Sequence, residues 1–103
     1  PFRSKHFDQV YQMYTVVLKN KIVRDNLQRF LEQKGIMSKV YFMPVHLKEL
    51  YVKKLGHKKG DLPQTELLSD RVLTIPLYAA MSSDDSHYLI DSIVHFCRGE
   101  QNL

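Results

Sequence analysis

Two strand-like runs of this 103-residue chain end at a proline, and this pattern limits the folds that the chain can adopt. The runs are SKVYFMP, which ends at Pro44, and RVLTIPL, whose strand pattern ends at Pro76. Proline has no amide hydrogen to donate, so it is not expected inside a central strand ladder. Both runs are therefore predicted to be short strands that stop where the chain turns toward a helix.

A third strand pattern, VYQMYTVVL, covers Val10 to Leu18 and is rich in β-branched and aromatic residues. Its alternate positions are apolar on both sides, with Val10, Tyr14 and Val16 on one and Tyr11, Met13 and Val17 on the other. A strand that is apolar on both faces is expected to be covered on both. This pattern predicts a partner layer beyond the chain itself.

Four stretches carry helical patterns: 20–35, 46–55, 63–70 and 82–99. Glycines at positions 35 and 56 are typical helix stops, Pro63 suits a first turn, and Ser82 can cap the last helix. The apolar positions predicted to face the core are Val23, Leu27, Phe30, Leu31, Leu47, Leu50, Tyr51, Leu89, Ile90, Ile93, Val94 and Cys97.

The resulting order, β-α-β-α-α-β-α, predicts an α+β fold, an α/β two-layer sandwich. We expect a three-stranded, mostly antiparallel or mixed sheet with the helices packed mainly on one face. The connections are about twenty residues or longer, so parallel crossovers stay open. The length fits one domain, which we place at residues 10–99, after a flexible linker at 1–9 and before a tail at 100–103.

The net charge of +4 is concentrated in one segment. Five lysines and a single glutamate lie between Lys48 and Lys59, whereas the remaining ten basic and ten acidic residues cancel. Such a segment can be a solvated surface or can meet an anionic partner. Both interpretations stay open at this point.

The sequence offers little for catalysis by this chain alone, since it has no GxSxG, Gly-rich phosphate loop or HExxH. Asp84 and Asp85 begin a helix, where carboxylates complement the helix dipole. Cys97 fits the apolar stripe, and no metal site is predicted. His46 follows a strand end, so it can either pack the next helix or face a ligand. No signal-peptide pattern and no run of about 18 apolar residues occurs, so no membrane partner is expected.

Several motifs in one order resemble a known family. They are VYQMYTVVL, RDNLQRFLEQKGI, KVYFMPVHL, GHKKGDLPQTELLSDRVLTIPLY and MSSDDSHYLIDSIV. At these spacings the chain resembles, over nearly its whole length, the C-terminal part of pyridoxal phosphate-dependent sugar aminotransferases of the DegT/DnrJ/StrS type.

The resemblance implies the small domain of a fold type I pyridoxal phosphate enzyme. The parent would be a cytoplasmic homodimer that transfers an amino group from glutamate to a keto sugar carried on a nucleotide, for polysaccharide or other amino-sugar biosynthesis. The Schiff-base lysine would lie in a large domain outside this chain. The chain alone would then be inactive, with no catalytic, cofactor-binding or metal residues.

The same resemblance places Tyr41, Phe42 and His46 on the sugar-nucleotide side. The chain departs from the family at Gln12, where many members have histidine, which puts any role of that position in doubt. Two other classes stay open: a basic module that binds nucleic acid, and a free-standing association domain. The first is disfavoured because the chain has no RNP-like motif and no aromatic–basic interleaving, so no nucleic acid partner is expected.

Overall fold

The computed structural model describes residues 5–8 and 10–100 of the chain. In chain order its elements are β1 (Tyr14–Val17), α1 (Lys21–Gln33), a 3₁₀ turn (Val45–Leu47), α2 (Glu49–Leu55), α3 (Pro63–Arg71), β2 (Val72–Ile75) and α4 (Ser83–Glu100). The mixed α+β class and the four helices are confirmed. Most of the predicted linker at residues 1–9 and of the predicted tail at 100–103 lies outside the described residues, and Glu100 is the last residue of α4 rather than part of a tail.

Strands β1 and β2 form an antiparallel pair in which Thr15 lies opposite Thr74. The hydroxyls of these two threonines are 2.8 Å apart and share a hydrogen bond. On its other edge β2 meets the chain at one residue only, where the amides and carbonyls of Lys39 and Thr74 exchange bonds of 3.0 and 2.7 Å.

The predicted third strand, from Ser38 to Pro44, is therefore a single bridge in the described part of the chain. The next rung would use the backbone of Val72, because alternate residues of a strand point to the same neighbour. That backbone is already engaged. The Val72 amide donates to the Leu68 carbonyl at the end of α3, and the Val72 carbonyl accepts from Arg24 Nη1 at 3.4 Å.

The buried apolar core lies between the helices α1 and α4 and one face of the sheet. Its buried members are Leu27, Leu31, Ile36, Leu73 and Leu89. Three sets of predictions about burial are wrong. Ile90 and Val94 of α4 are exposed rather than facing the core, because they line an open cavity beside β1. Leu50 and Tyr51 of α2 are exposed rather than inward, because α2 packs chiefly on the turn before it. Cys97 is exposed rather than in the core.

The helix ends at Ser82 and Gly56 follow the predicted chemistry, and Asn20 provides a cap that was not predicted. Asn20 accepts a hydrogen bond from the Val23 amide at the start of α1. The hydroxyl of Ser82 accepts one from the Asp85 amide at the start of α4. Gly56 ends α2 in the left-handed region at φ 71°, where glycine is favoured.

The chain leaves much apolar surface uncovered. In β1, Tyr14 and Val17 are exposed, and Val10 ahead of the strand is 89% exposed. The radius of gyration is 16.4 Å, whereas a compact domain of this length would have about 13 Å. The exposed strand agrees with the prediction of an additional covering layer.

Candidate functional site

Tyr41 and Phe42 lie beyond the single bridge at Lys39, on an exposed part of the chain. Their rings contact each other with centroids 4.8 Å apart, and Phe42 is 69% exposed. Tyr41 lines an open cavity of about 470 Å³ at the end of the sheet. These two predicted site residues are therefore accessible from outside the chain.

The polar groups around this cavity suit a ligand with hydroxyl groups. Gln12, Ser38, Lys39 and Tyr78 line it together with Tyr41, among apolar neighbours. The Ser38 hydroxyl is buried and has no hydrogen-bond partner among the described residues. A buried hydroxyl without a partner is unfavourable, and it would reach a ligand in the cavity only if the Ser38 side chain rotated toward that ligand. The structure thus brings Gln12, the departure noted in the sequence, next to Tyr41.

His46 differs from the other two predicted site residues because it is buried and hydrogen-bonded. It is only 5% exposed, and its Nε2 is 2.9 Å from Glu66 Oε1. Its Nδ1 is buried without a hydrogen-bond partner among the described residues. The imidazole is therefore committed to a side chain of α3 rather than presented at the surface.

Glu66 is the centre of a small polar cluster that the sequence analysis did not identify. Besides His46, its carboxylate accepts from the Gly60 amide at 2.8 and 3.0 Å and from the Leu62 amide at 3.4 Å. The hydrogen bond from His46, helped by the two amides and opposed by burial, holds the pKa of Glu66 below its ordinary value. Glu66 thus joins the turn at His46 to the loop before α3.

A second carboxylate organises the other side of that loop. Asp61 accepts from the Lys58 amide at 3.0 Å and lies 3.3 Å from Nδ1 of His57. These two hydrogen bonds lower the pKa of Asp61, and the bond from the Lys58 amide has the larger effect. The ring of His57 meets the ring of His46 edge-on at 6.2 Å. Polar contacts therefore hold the loop from Gly56 to Leu62 in place.

Arg24 is the second polar residue that sequence reasoning missed. Its side chain is buried, and Nη1 donates to the Ser69 carbonyl at 3.0 Å, linking α1 to the end of α3. Its Nε donates to Asp25 at 2.6 Å. Burial raises the pKa of Asp25, but the hydrogen bonds from Lys21 and Arg24 outweigh it and leave the pKa lowered. The sequence did contain a signal for this role, because Arg24 is a charged residue that lies between Val23 and Leu27 on the apolar face of the helix.

The ligands and lysines of the described residues indicate which metals or cofactors this chain could hold. No cluster of three or more potential metal ligands occurs among them. All ten lysines lie in the described ranges, and every one is exposed. A lysine that forms a Schiff base with a cofactor needs a shielded pocket, so the residues present here do not fit pyridoxal phosphate. Within the described ranges, no helix has the length and apolar character that crossing a membrane requires.

Comparison with known proteins gives consistent matches. The model of the DegT/DnrJ/EryC1/StrS aminotransferase family matches residues 1–94. A "Pleiotropic regulatory protein" of Geobacillus stearothermophilus is 32% identical over 90 residues, which is 86% of this chain and 23% of that protein. The spore coat polysaccharide biosynthesis protein SpsC of Bacillus subtilis is 29% identical over 97 residues, 93% of this chain and 25% of SpsC.

A solved structure supports the fold. The apo-form of "Putative sugar aminotransferase Spr1654" from Streptococcus pneumoniae superposes with a TM-score of 0.76 at 22% identity. The match covers 84% of this chain and 22% of that one. The chain thus spans about a quarter of the length of the relatives that it matches. Since the family model covers residues 1–94 of 103, the chain belongs to the DegT/DnrJ/EryC1/StrS aminotransferase family.

Proposed function

We propose that this chain is the small C-terminal domain of a pyridoxal phosphate-dependent aminotransferase that acts on nucleotide-linked keto sugars. Glutamate is the proposed amino donor, and the product enters polysaccharide or other amino-sugar biosynthesis in the cytoplasm. The observation that carries the proposal is the family match over residues 1–94. The name of SpsC, which refers to spore coat polysaccharide biosynthesis, supports the sugar class.

The exposed apolar surface supports a role as one part of a larger protein. Large apolar residues are exposed on β1, on α2 and on α4, including Val10, Val17, Leu55 and Ile90. Exposed patches of this extent are typical of interfaces. We propose that a large domain of the same polypeptide covers β1, and that the complete protein is a homodimer.

The cofactor is proposed to bind in the large domain. Pyridoxal phosphate would supply the electron sink for amino transfer. The lysines of this chain are exposed, and none of them is a candidate for holding the cofactor. The proposed contribution of this chain is to cover the active site and to contact the sugar nucleotide, and by itself it should not catalyse the reaction.

The proposed substrate contacts are Tyr41 and Phe42, with His46 acting behind them. The two aromatic residues are exposed, and polar side chains that suit a sugar line the cavity beside Tyr41. His46 would contact a ligand directly only if the pairing with Glu66 opened, because its ring is buried. We therefore propose that it fixes the chain that follows Phe42.

The test uses the complete protein and the 103-residue chain side by side. Both are mixed with pyridoxal phosphate, reduced with borohydride and mapped for pyridoxyl-lysine, and both are assayed with glutamate and a set of nucleotide-linked keto sugars. The proposal expects activity and one modified lysine in the complete protein only. One stoichiometric adduct on this chain, or no amino transfer to any nucleotide-linked keto sugar by the complete protein, would contradict it.

A further inference from the structure

The helix α2 (Glu49–Leu55) is not stabilised by the rest of the described chain. None of its seven residues is buried, and it packs chiefly on the 3₁₀ turn that precedes it. Helices this short are marginal in water, and helices in proteins owe most of their stability to tertiary packing. Something outside the described residues is therefore needed to complete its surroundings.

The exposed side chains of α2 are apolar to an unusual degree for a solvated helix. Leu50 and Leu55 are 57% and 66% exposed, and Tyr51 and Val52 are 37% and 40% exposed. A helix that lay free in solvent would be expected to carry polar residues at these positions. The composition of α2 instead suits burial against a second apolar surface.

Lysines are frequent on α2 and in the segments directly before and after it. Lys48, Lys53, Lys54, Lys58 and Lys59 lie on α2 or next to it, and Glu49 is the single acidic residue of the segment. Glu49 is paired with Lys53 along the helix. A complementary surface would place carboxylates around an apolar patch, because like charges there would oppose docking.

The base of α2 is fixed, which is expected of a preformed docking element. The buried bond between His46 and Glu66 holds the turn before α2. The two bonds from the Gly60 amide to Glu66 hold the loop after it. Fixing an element in advance lowers the entropy lost on docking.

We propose that α2 docks on an acidic and apolar surface in the part of the aminotransferase polypeptide that lies outside this chain. This inference rests on the proposed function. The chain spans about a quarter of its relatives, so the remaining part is large enough to supply that surface. A membrane is a poorer fit, because helices that lie on membranes bury an extended apolar face rather than two turns. Nucleic acid is a poorer fit, because the aromatic–basic pattern of RNA-binding sheets is missing.

The test places a photoreactive p-benzoylphenylalanine at Leu50 or Leu55 of the complete protein. Both positions are exposed, so the probe should not disturb the core. Mixing isotopically heavy and light subunits distinguishes adducts within one chain from adducts between chains. The exposed Glu32 of α1 is the control position for the probe. We expect adducts from position 50 or 55 within one chain, on a peptide with apolar residues and Asp or Glu, and none from position 32.

Charge reversal then tests the electrostatic part. The pair Lys54→Glu and Lys58→Glu should lower the adduct yield about fivefold at low salt, as expected for two exposed ion pairs. Lys53 is left unchanged because of its pairing with Glu49. The control pair, Lys5→Glu with Lys19→Glu, changes the net charge equally and should leave the yield unchanged.

Three results would overturn the inference: no adduct from positions 50 and 55, adducts only between chains, or a yield that both charge-reversal pairs lower equally. Binding of phosphatidylserine vesicles through α2, in place of the adduct, would also overturn it. If a probe variant misfolds, hydrogen exchange of the α2 amides in the unlabelled complete protein decides, since docking requires that they be protected. Amino transfer is assayed on the same preparation, so a failure of the proposed function is recognised separately from a failure of docking.

Discussion

Replacing Arg24 with methionine should destabilise the domain more than its position on a surface helix would indicate. The guanidinium is 5% exposed and connects three elements, since Nη1 bonds the carbonyls of Ser69 and Val72 from its place on α1. Methionine retains an unbranched apolar stem but removes every donor. The change therefore isolates the hydrogen bonds from the packing of the stem.

The expected magnitude follows from the individual contacts. The bond to Ser69, at 3.0 Å, is partly buried and joins a charged donor to a carbonyl, and such bonds contribute about 1.5–3 kcal/mol. The contact with Val72 is longer, at 3.4 Å, and adds little. The pairing with Asp25 is partly exposed, so it adds about 0.2–1 kcal/mol at most. We expect Arg24→Met to lower the free energy of unfolding by about 2–3 kcal/mol, a large fraction of the roughly 5–15 kcal/mol typical of a domain.

Urea unfolding at pH 7, followed by circular dichroism at low protein concentration, measures this change. Arg29→Met is the matched control, because Arg29 is exposed on the same helix and bonds only residues of that helix. The control should change stability by less than about 0.5 kcal/mol. If both variants unfolded at the same urea concentration, the guanidinium of Arg24 would not be joining α1 to α3 and β2, and the reasoning would be wrong.

Three further predictions concern the stability of the domain at acid pH, its apolar core and the cavity beside Tyr41. Because the pKa of Glu66 is lower in the folded chain, the unfolded chain binds this proton first as the pH falls, so the stabilisation by Glu66 is complete above its ordinary pKa of 4.5 and is lost below it. Glu66→Gln should therefore make the free energy of unfolding less dependent on pH below 4.5. Urea titrations that show the same loss of stability at acid pH in both proteins would contradict this. Leu73→Ala should cost about 2–5 kcal/mol by thermal or urea unfolding, because its side chain is fully buried, and a loss as small as that of the exposed Leu50→Ala would refute the assigned core. In the complete protein, Tyr41→Ala should lower kcat/KM for the keto sugar roughly tenfold and leave the half-reaction with glutamate nearly unchanged, with Tyr88→Ala as the control; equal losses in both half-reactions would argue against a sugar contact.

The helices could be predicted from the sequence because their ends carry local chemistry. Gly56 and Ser82 act on neighbouring backbone groups, and each occupies the predicted position. The two buried leucines of α1, Leu27 and Leu31, follow directly from the spacing of apolar residues along that helix. Signals of this kind need no information about the rest of the fold.

The reduction of the predicted third strand to a single bridge could not be predicted, because the length of that strand depends on distant residues. Nothing between Ser38 and Pro44 indicates that the chain leaves the ladder after Lys39. The reason lies in Val72, whose backbone is taken by α3 and by Arg24. A strand pattern indicates that a segment can form a strand, but it does not indicate whether the backbone of a neighbouring strand is free to pair with it.

The candidate site illustrates the same limit, because the exposure of its side chains depends on residues that are distant in the sequence. The family resemblance brought Tyr41, Phe42 and His46 together as candidates, yet a resemblance does not determine which of these side chains are exposed. Glu66 lies twenty residues further along the chain and fixes the orientation of His46 by accepting a hydrogen bond from its Nε2. Tyr41 and Phe42 have no such partner among the hydrogen bonds of the described chain and are exposed. The burial of His46, in contrast to the exposure of Tyr41 and Phe42, therefore follows from one carboxylate on α3, which is recognised only when the loop at Gly60 is seen folded around it.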